Sequence, residues 1–238
     1  MNYVLEVKSI SKRYRNFSLK DVSFSLERGT ITGFIGENGA GKTTTLHSVL
    51  NLIQVDAGEV RLNGNRIENR KDLMKISYLE SNRELYPDVR GYEYKNFIRD
   101  AYRNLWEEDR YQFYLRKFRI TDDYKIKDFS TGMRVKFYLA VELAKQPEVI
   151  LLDEPTSGLD PIARVEFLKI IRELTDDRQI TVLFSSHITS DIESIADKVI
   201  FIDDGRIILD MDKKGIQEKY NTGLDEVLMF LTGGKTDV

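Results

Sequence analysis

The sequence contains no cysteine, so it can build neither a disulfide framework nor a thiolate metal site. Histidine is almost as scarce: His47 and His187 are the only two, which argues against a zinc site. No apolar run approaches the ~18–20 residues that a membrane-spanning helix requires. The strongest runs, VILLD, ITVLFSS and KVIFID, have the length of strands. The first segment, MNYVLEVKSISKRY, carries charges throughout, which is not the pattern of a signal peptide. A role at a membrane would therefore be mediated by another chain. A large charge excess is also missing: the net charge is -3 and the pI about 5.6, which argues against a nucleic-acid surface as the main function. There is no internal repeat and no low-complexity segment.

What is present suits a folded core. The chain has 238 residues, 41% hydrophobic and 32% charged, enough for one large domain or a domain with a subdomain. Residues 3–36 read as strands, with alternating or apolar runs broken at RNF and RG. A Gly-rich turn then opens a helix on which Leu46, Val49, Leu50 and Ile53 share a face. GEVRLNG and KISYLE are strands. The chain from about 91 to 118 reads as helical, and a helix starting near Ser130 stacks Val135, Leu139 and Leu143. Next come the strand EVILLD, a helix over 161–175, the strand ITVLFSS, a short helix from about 189, and the strand pair around Gly205. The segment GLDEVLMFL reads as a short amphipathic helix, followed by a frayed end. Alternation of helices with fully apolar strands predicts an α/β fold with a mostly parallel sheet covered on both faces. The early strands predict an added antiparallel β layer, and residues 81–146 an inserted α-helical subdomain.

Three segments carry chemistry. Residues 36–43, GENGAGKT, match the pattern G-x-x-x-x-G-K-[ST] in its required place, after a strand and before a helix. Gly36, Gly39 and Gly41 let backbone N–H groups turn inward around phosphate oxygens, Lys42 neutralises the outer phosphates, and Thr43 offers a hydroxyl to a magnesium ion. VILLDEP ends a buried strand in two carboxylates. Asp153 is a hard oxygen ligand suited to Mg²⁺, and Glu154 beside it can polarise a water. His187 follows the next apolar strand at the same sheet edge, where a donor to a terminal phosphate is useful. His47, on the helix after the loop, reads as structural or solvent-facing.

GENGAGKTT, FSTGM, VILLDEPTSGLDP and SSH, in this order, resemble the ATPase subunit of an ATP-binding cassette (ABC) transporter over residues 3–210. The resemblance implies a P-loop NTPase core over 1–80 and 147–212, a helical subdomain over 81–146 and a tail over 213–238. It implies that Tyr14 stacks on adenine, and that Gly36, Glu37, Asn38, Gly39, Ala40, Gly41, Lys42, Thr43 and Thr44 bind ATP. It makes Asp153 the magnesium carboxylate, Glu154 the catalytic base and His187 the switch histidine. Ser157, Gly158, Leu159 and Asp160 match the D-loop, which crosses the dimer interface. Ser130, Thr131, Gly132 and Met133 match the signature motif, which grips the γ-phosphate of ATP held by the other subunit.

Two departures stand out. The signature usually reads Leu-Ser-Gly-Gly-Gln, whereas this chain has Phe-Ser-Thr-Gly-Met. Ser81 also occupies the place of the family's usual glutamine, with a shorter arm toward a magnesium-bound water. FSTGM together with SSHITSDIESIADKVIFIDDGRII resembles small bacterial exporter-type members, some of which serve drug, bacteriocin or peptide export and self-protection. The implied assembly is a homodimer, or a heterodimer with a related ATPase, working with ATP and Mg²⁺. Separate permease chains would hold it on the cytoplasmic face of the membrane. The aromatic residues Tyr86, Tyr92, Tyr94 and Phe97 either line a groove for a permease helix or pack the helical subdomain. A ribosome- or chromosome-associated cassette ATPase is the alternative class. The single P-loop argues against the first, and the short span between Lys42 and Ser130 against the second. Intact Lys42, Asp153, Glu154 and His187 argue against a catalytically dead module.

Overall fold

A computed structural model of the protein describes residues 2–80, 86–176 and 180–233. Alternation of apolar and polar side chains builds the first sheet. β1 (Tyr3–Arg13), β2 (Ser18–Glu27), β4 (Ala57–Leu62) and β5 (Asn65–Arg66) form an antiparallel sheet in the order β2-β1-β4-β5. Ser9 takes a left-handed conformation (φ 52°), and the pairing register slips between Val7 and Ile10, the mark of a β-bulge.

The apolar strands build the second sheet. β3 (Ile31–Ile35), β6 (Ile76–Glu80), β7 (Val149–Asp153), β8 (Thr181–Ser186), β9 (Lys198–Asp203) and β10 (Arg206–Asp212) lie in the order β10-β9-β3-β8-β7-β6. All neighbours are parallel except β10, which returns antiparallel to β9. Side chains on these strands alternate between two cores. Val149, Leu151 and Leu183 face α1 (Lys42–Val49) and the antiparallel sheet. Ile150, Leu152 and Phe184 face the other core, with α4 (Thr131–Ala144), α5 (Pro161–Asp176) and α6 (Thr189–Ile195). Burial on both faces is why these strands lack polar alternation.

From residue 91 to residue 118 the chain is helical, as expected, but not continuously so. α2 (Gly91–Tyr102) and α3 (Glu108–Phe118) are separate helices, because Arg103 adopts φ 42° and a short 3₁₀ turn follows. The phenol of buried Tyr111 donates to Asp122 at 2.9 Å, and burial with that neighbouring carboxylate holds its pKa far above the usual tyrosine range. α1 is shorter than its apolar pattern suggested: it ends at Val49, the chain turns at Asn51 (φ 52°), and Ile53 falls beyond it. α7 (Lys213–Tyr220) was not foreseen in a segment with one buried apolar residue, Ile216. Asp212 starts it by accepting from the Gly215 N–H at 2.5 Å. The amphipathic helix near the end is α8 (Leu224–Leu231), and of the frayed end expected after it, residues 234–238 lie outside the described residues.

β3 carries Gly33 where α6 crosses it. A Cβ at that position would overlap Ile192 Cγ2, far closer than van der Waals contact allows. The missing side chain thus sets how closely α6, which follows His187, approaches the sheet. Gly33→Ala is expected to destabilise the fold by about 1–3 kcal/mol through overpacking. Chemical denaturation would measure this, and adding Ile192→Ala should restore part of the loss.

Candidate active site

After β3 the chain turns through residues 36–41 and enters α1. Gly41 has φ 113°, and a Cβ there would lie 2.8 Å from the Phe17 ring, so only glycine fits the turn. The turn is braced by Ala40 N–H donating to the Glu37 carbonyl at 3.1 Å and by Gly205 N–H donating to the Ala40 carbonyl at 2.9 Å. Lys42 is buried, and its ammonium donates to the carbonyls of Gly36 at 2.6 Å and Glu37 at 3.2 Å. Beside the loop lies a cavity of about 530 Å³, reached by Glu37, Asn38, Gly39, Thr43, Thr44 and Glu154.

Phe17 also lines this cavity; Tyr14 does not. Tyr14 is 42% exposed and stacks on Phe17, with ring centroids 6.5 Å apart and planes inclined by 27°. The sequence points to Tyr14 as the aromatic at the site, and Phe17 stands there only in the RNF break between two strands. The contact between Phe17 and Gly41 links two distant segments, and no local pattern signals it. Asp204 borders the cavity too, and its hydrogen bond from Lys20 holds its carboxyl below the usual range.

Parallel strands end together, and here their ends bring the polar residues together. Asp153 closes β7, almost fully buried. It accepts from the hydroxyls of Thr43 (2.7 Å), Ser185 (2.5 Å) and Tyr78 (3.3 Å). Glu154 follows in the left-handed region (φ 50°), its N–H donating to the Ser185 carbonyl at 3.1 Å. Its Oε2 lies 2.8 Å from His187 Nδ1 and its Oε1 3.3 Å from Lys42 Nζ. Oε1 is buried and accepts no hydrogen bond among the described residues. Lys42, Glu154 and His187 thus form one contact chain, from three sites separated in sequence. His47 is half-buried, and its Nε2 is 3.3 Å from the Tyr78 hydroxyl.

The signature segment stands apart from this cluster. Ser130 is exposed and caps α4 by accepting from the Met133 N–H at 3.2 Å. Met133 packs against the core, which gives the residue standing in place of glutamine a packing role. Gly132 lies close to α5: a Cβ there would sit 3.3 Å from that of Ala163. Thr131 Cγ2 would be 3.9 Å from a Cβ on Gly158, so residues 157–160 adjoin the signature of their own chain. In that turn Ser157 N–H donates to the Glu154 carbonyl at 3.0 Å, and Leu159 packs against the core. Asp160 caps α5, accepting from the N–H groups of Ile162 and Ala163 at 3.0 Å each. Ser81 lies outside the described residues. The aromatic residues divide: Tyr94 is buried against Phe137 and Tyr138, whereas Tyr86, Tyr92 and Phe97 are exposed.

One ionic contact that sequence reasoning did not find ties the site together. Asp191 on α6 is buried; it accepts from the Thr156 hydroxyl at 2.7 Å and from Arg164 Nε at 2.6 Å. It therefore joins the turn after Glu154 to α5 and to the helix after His187. Arg164→Ala would leave this carboxylate buried without its cation. The expected loss is about 2–3 kcal/mol of stability, read as a lower denaturation midpoint.

Comparisons with known proteins agree with this geometry. The family described as ABC transporter matches residues 19–157. The chain is 34% identical over 213 residues to the uncharacterized ABC transporter ATP-binding protein YhcH of Bacillus subtilis (strain 168), covering 87% of this chain and 70% of that one. It is 31% identical to the lantibiotic transport ATP-binding protein SrtF of Streptococcus pyogenes, covering 92% and 96% of the two chains. A solved structure of an ATP-binding subunit of an ABC transporter superposes with a TM-score of 0.85 at 28% identity, over 96% of this chain and 99% of that one. With the glycine loop, the paired carboxylates and the histidine gathered at one sheet edge, the chain belongs to the ABC transporter family, as an ATP-binding subunit with the α/β P-loop ATPase fold.

Proposed function

We propose that this ATPase drives an exporter through a separate permease, and that it is one nucleotide-binding domain with residues 81–146 as its helical subdomain. The observation that carries the reading is the contact chain Lys42–Glu154–His187 beside the Asp153–Thr43 pair. Loop 36–44 holds the phosphates, and the Phe17–Tyr14 stack offers an aromatic surface at the base side of the cavity. A phosphate oxygen entering the loop competes for the ammonium that Gly36, Glu37 and Glu154 now share. Drawing Lys42 toward phosphate frees Glu154 Oε1, which accepts the proton of the attacking water as that oxygen bonds to the γ-phosphorus and ADP departs. His187 holds Glu154 through Oε2 and keeps Oε1 turned inward.

Magnesium fits the site. A buried carboxylate whose hydrogen-bond donors among the described residues are hydroxyls, that of Thr43 included, is a hard-oxygen donor set that an added cation would complete. Thr43 and Asp153 are the residues to hold it, with Ser81 assigned by the resemblance alone. When bound, magnesium supplies charge compensation at the phosphate oxygens.

The segment of Ser130, Thr131, Gly132 and Met133, exposed at Ser130, opens a helix without an acidic first turn, and the positive end of the helix dipole there favours an anion. We assign it the terminal phosphate of ATP bound by a second, like or related chain, with Ser157, Gly158, Leu159 and Asp160 at the same interface. ATP thereby stabilises a closed pair, and hydrolysis opens it. No described helix is long and apolar enough to cross a membrane. A groove of about 430 Å³ between the β6 edge and α2, lined by Leu52, Leu73, Met74, Ile98 and Tyr102, suits a cytoplasmic helix of the permease, which would hold the chain at the inner membrane face. Similarity to SrtF supports export of a peptide.

Glu154→Gln should retain ATP binding, accumulate as an ATP-dependent dimer and lose turnover about a hundredfold or more. Hydrolysis at the native rate would remove Glu154 as the base. Ser130→Glu should leave ATP binding by the monomer intact but abolish the ATP-dependent dimer in size-exclusion chromatography. Dimerisation of that variant would contradict the trans-phosphate role.

A further inference from the structure

Tyr78 touches both halves of the proposed machine. It lies on β6, the edge strand of the parallel sheet, and pairs with Leu151 of β7. Its ring lines the groove between β6 and α2, together with Leu52, Met74 and Ile98. Its hydroxyl leaves the groove and donates to Asp153 Oδ2 at 3.3 Å, the same oxygen that Thr43 binds at 2.7 Å. From the α1 side, His47 Nε2 stands 3.3 Å from that hydroxyl, and the imidazole meets the ring edge-on at 5.8 Å. With the phenol donating to Asp153, the Nε2–H tautomer of His47 donates to the phenol oxygen. The ring is thus held at one end by polar partners, while its flank forms part of a groove wall.

We propose that Tyr78 is a positioning residue that couples occupancy of the groove to the orientation of the Asp153 carboxylate. The inference rests on the reading of Asp153 as the magnesium ligand and of the groove as the permease seat. A body seated against the ring shifts a side chain whose hydroxyl is one of the donors fixing Oδ2. No strand needs to move for that displacement to reach the metal end of β7. The coupling is a physical contact between two sites, and so it is measurable as an interaction between perturbations at each.

The absence of cysteine makes the test clean, since a cysteine introduced at Leu52, on the exposed rim of the groove, is the only thiol. Mn²⁺ affinity of the ADP-saturated full chain is read from the free-ion signal in electron paramagnetic resonance. Tyr78→Phe, which keeps the ring and removes the hydroxyl, should weaken Mn²⁺ binding about three- to tenfold, the range for losing one ordinary hydrogen bond, as suits a contact of 3.3 Å. Alkylating Leu52→Cys with N-phenylmaleimide should change Mn²⁺ affinity when Tyr78 is present and leave it unchanged when Tyr78→Phe is added. An equal shift in both backgrounds, or a shift in neither, overturns the coupling. Asp153→Asn separates the two levels. If it weakens Mn²⁺ binding while Tyr78→Phe does not, the proposal alone fails. If it leaves Mn²⁺ binding intact, the metal reading of Asp153 fails and the proposal falls with it.

Discussion

A carboxylate taken out of water must find donors or a cation, and the site is organised around how Asp153 meets that demand. Three hydroxyls converge on it, from α1, β6 and β8. Each comes from a separate stretch of chain, so the carboxylate can be satisfied only when the parallel sheet has formed in register. The same register brings β8 alongside β7, so that the Ser185 carbonyl receives the Glu154 N–H and fixes that residue in its left-handed conformation. A non-glycine residue held at positive φ costs roughly 1–2 kcal/mol. Here that conformation accompanies a side chain held between Lys42 and His187.

The second organising contact lies on the opposite side of the strand ends. Asp191 pulls together the turn after Glu154, the start of α5 and the helix after His187 through Thr156 and Arg164. α8 adds to this from outside: Asp225 binds Thr189, and Glu193 accepts from the Leu224 N–H. The segment that carries His187 is therefore tethered on both flanks, while His187 itself remains partly exposed at the sheet edge. A hydrogen-bonded histidine on a tethered turn suits a residue that must hold a carboxylate before phosphate arrives and stay near it afterwards.

Much of this was legible in the sequence, for an identifiable reason. The glycine loop, the VILLDEP strand and the SSH turn are contiguous segments whose residue types are dictated by local backbone demands and by burial on both faces. Their meeting point followed from the parallel topology. What escaped detection depends on contacts between distant segments. Phe17 lines the cavity only because β2 begins beside Gly41. Tyr78 reads as one more residue of an apolar strand until Asp153 is seen at its hydroxyl. The break between α2 and α3 and the early end of α1 hinge on positive φ at Arg103 and Asn51, which neither residue type announces. α7 rests on a single buried isoleucine and a capping aspartate, too little for periodicity to register.

In the proposed function, the site is complete only when the glycine loop of one chain and the Ser130 helix of another enclose the same terminal phosphate. Vanadate, trapped with magnesium and ADP after turnover, cleaves backbone next to it under ultraviolet light, and mass spectrometry of the fragments maps the sites. Scission is expected in two segments, residues 36–44 and residues 130–133. Scission confined to the glycine loop, in a protein that is turning over ATP, would contradict that shared enclosure.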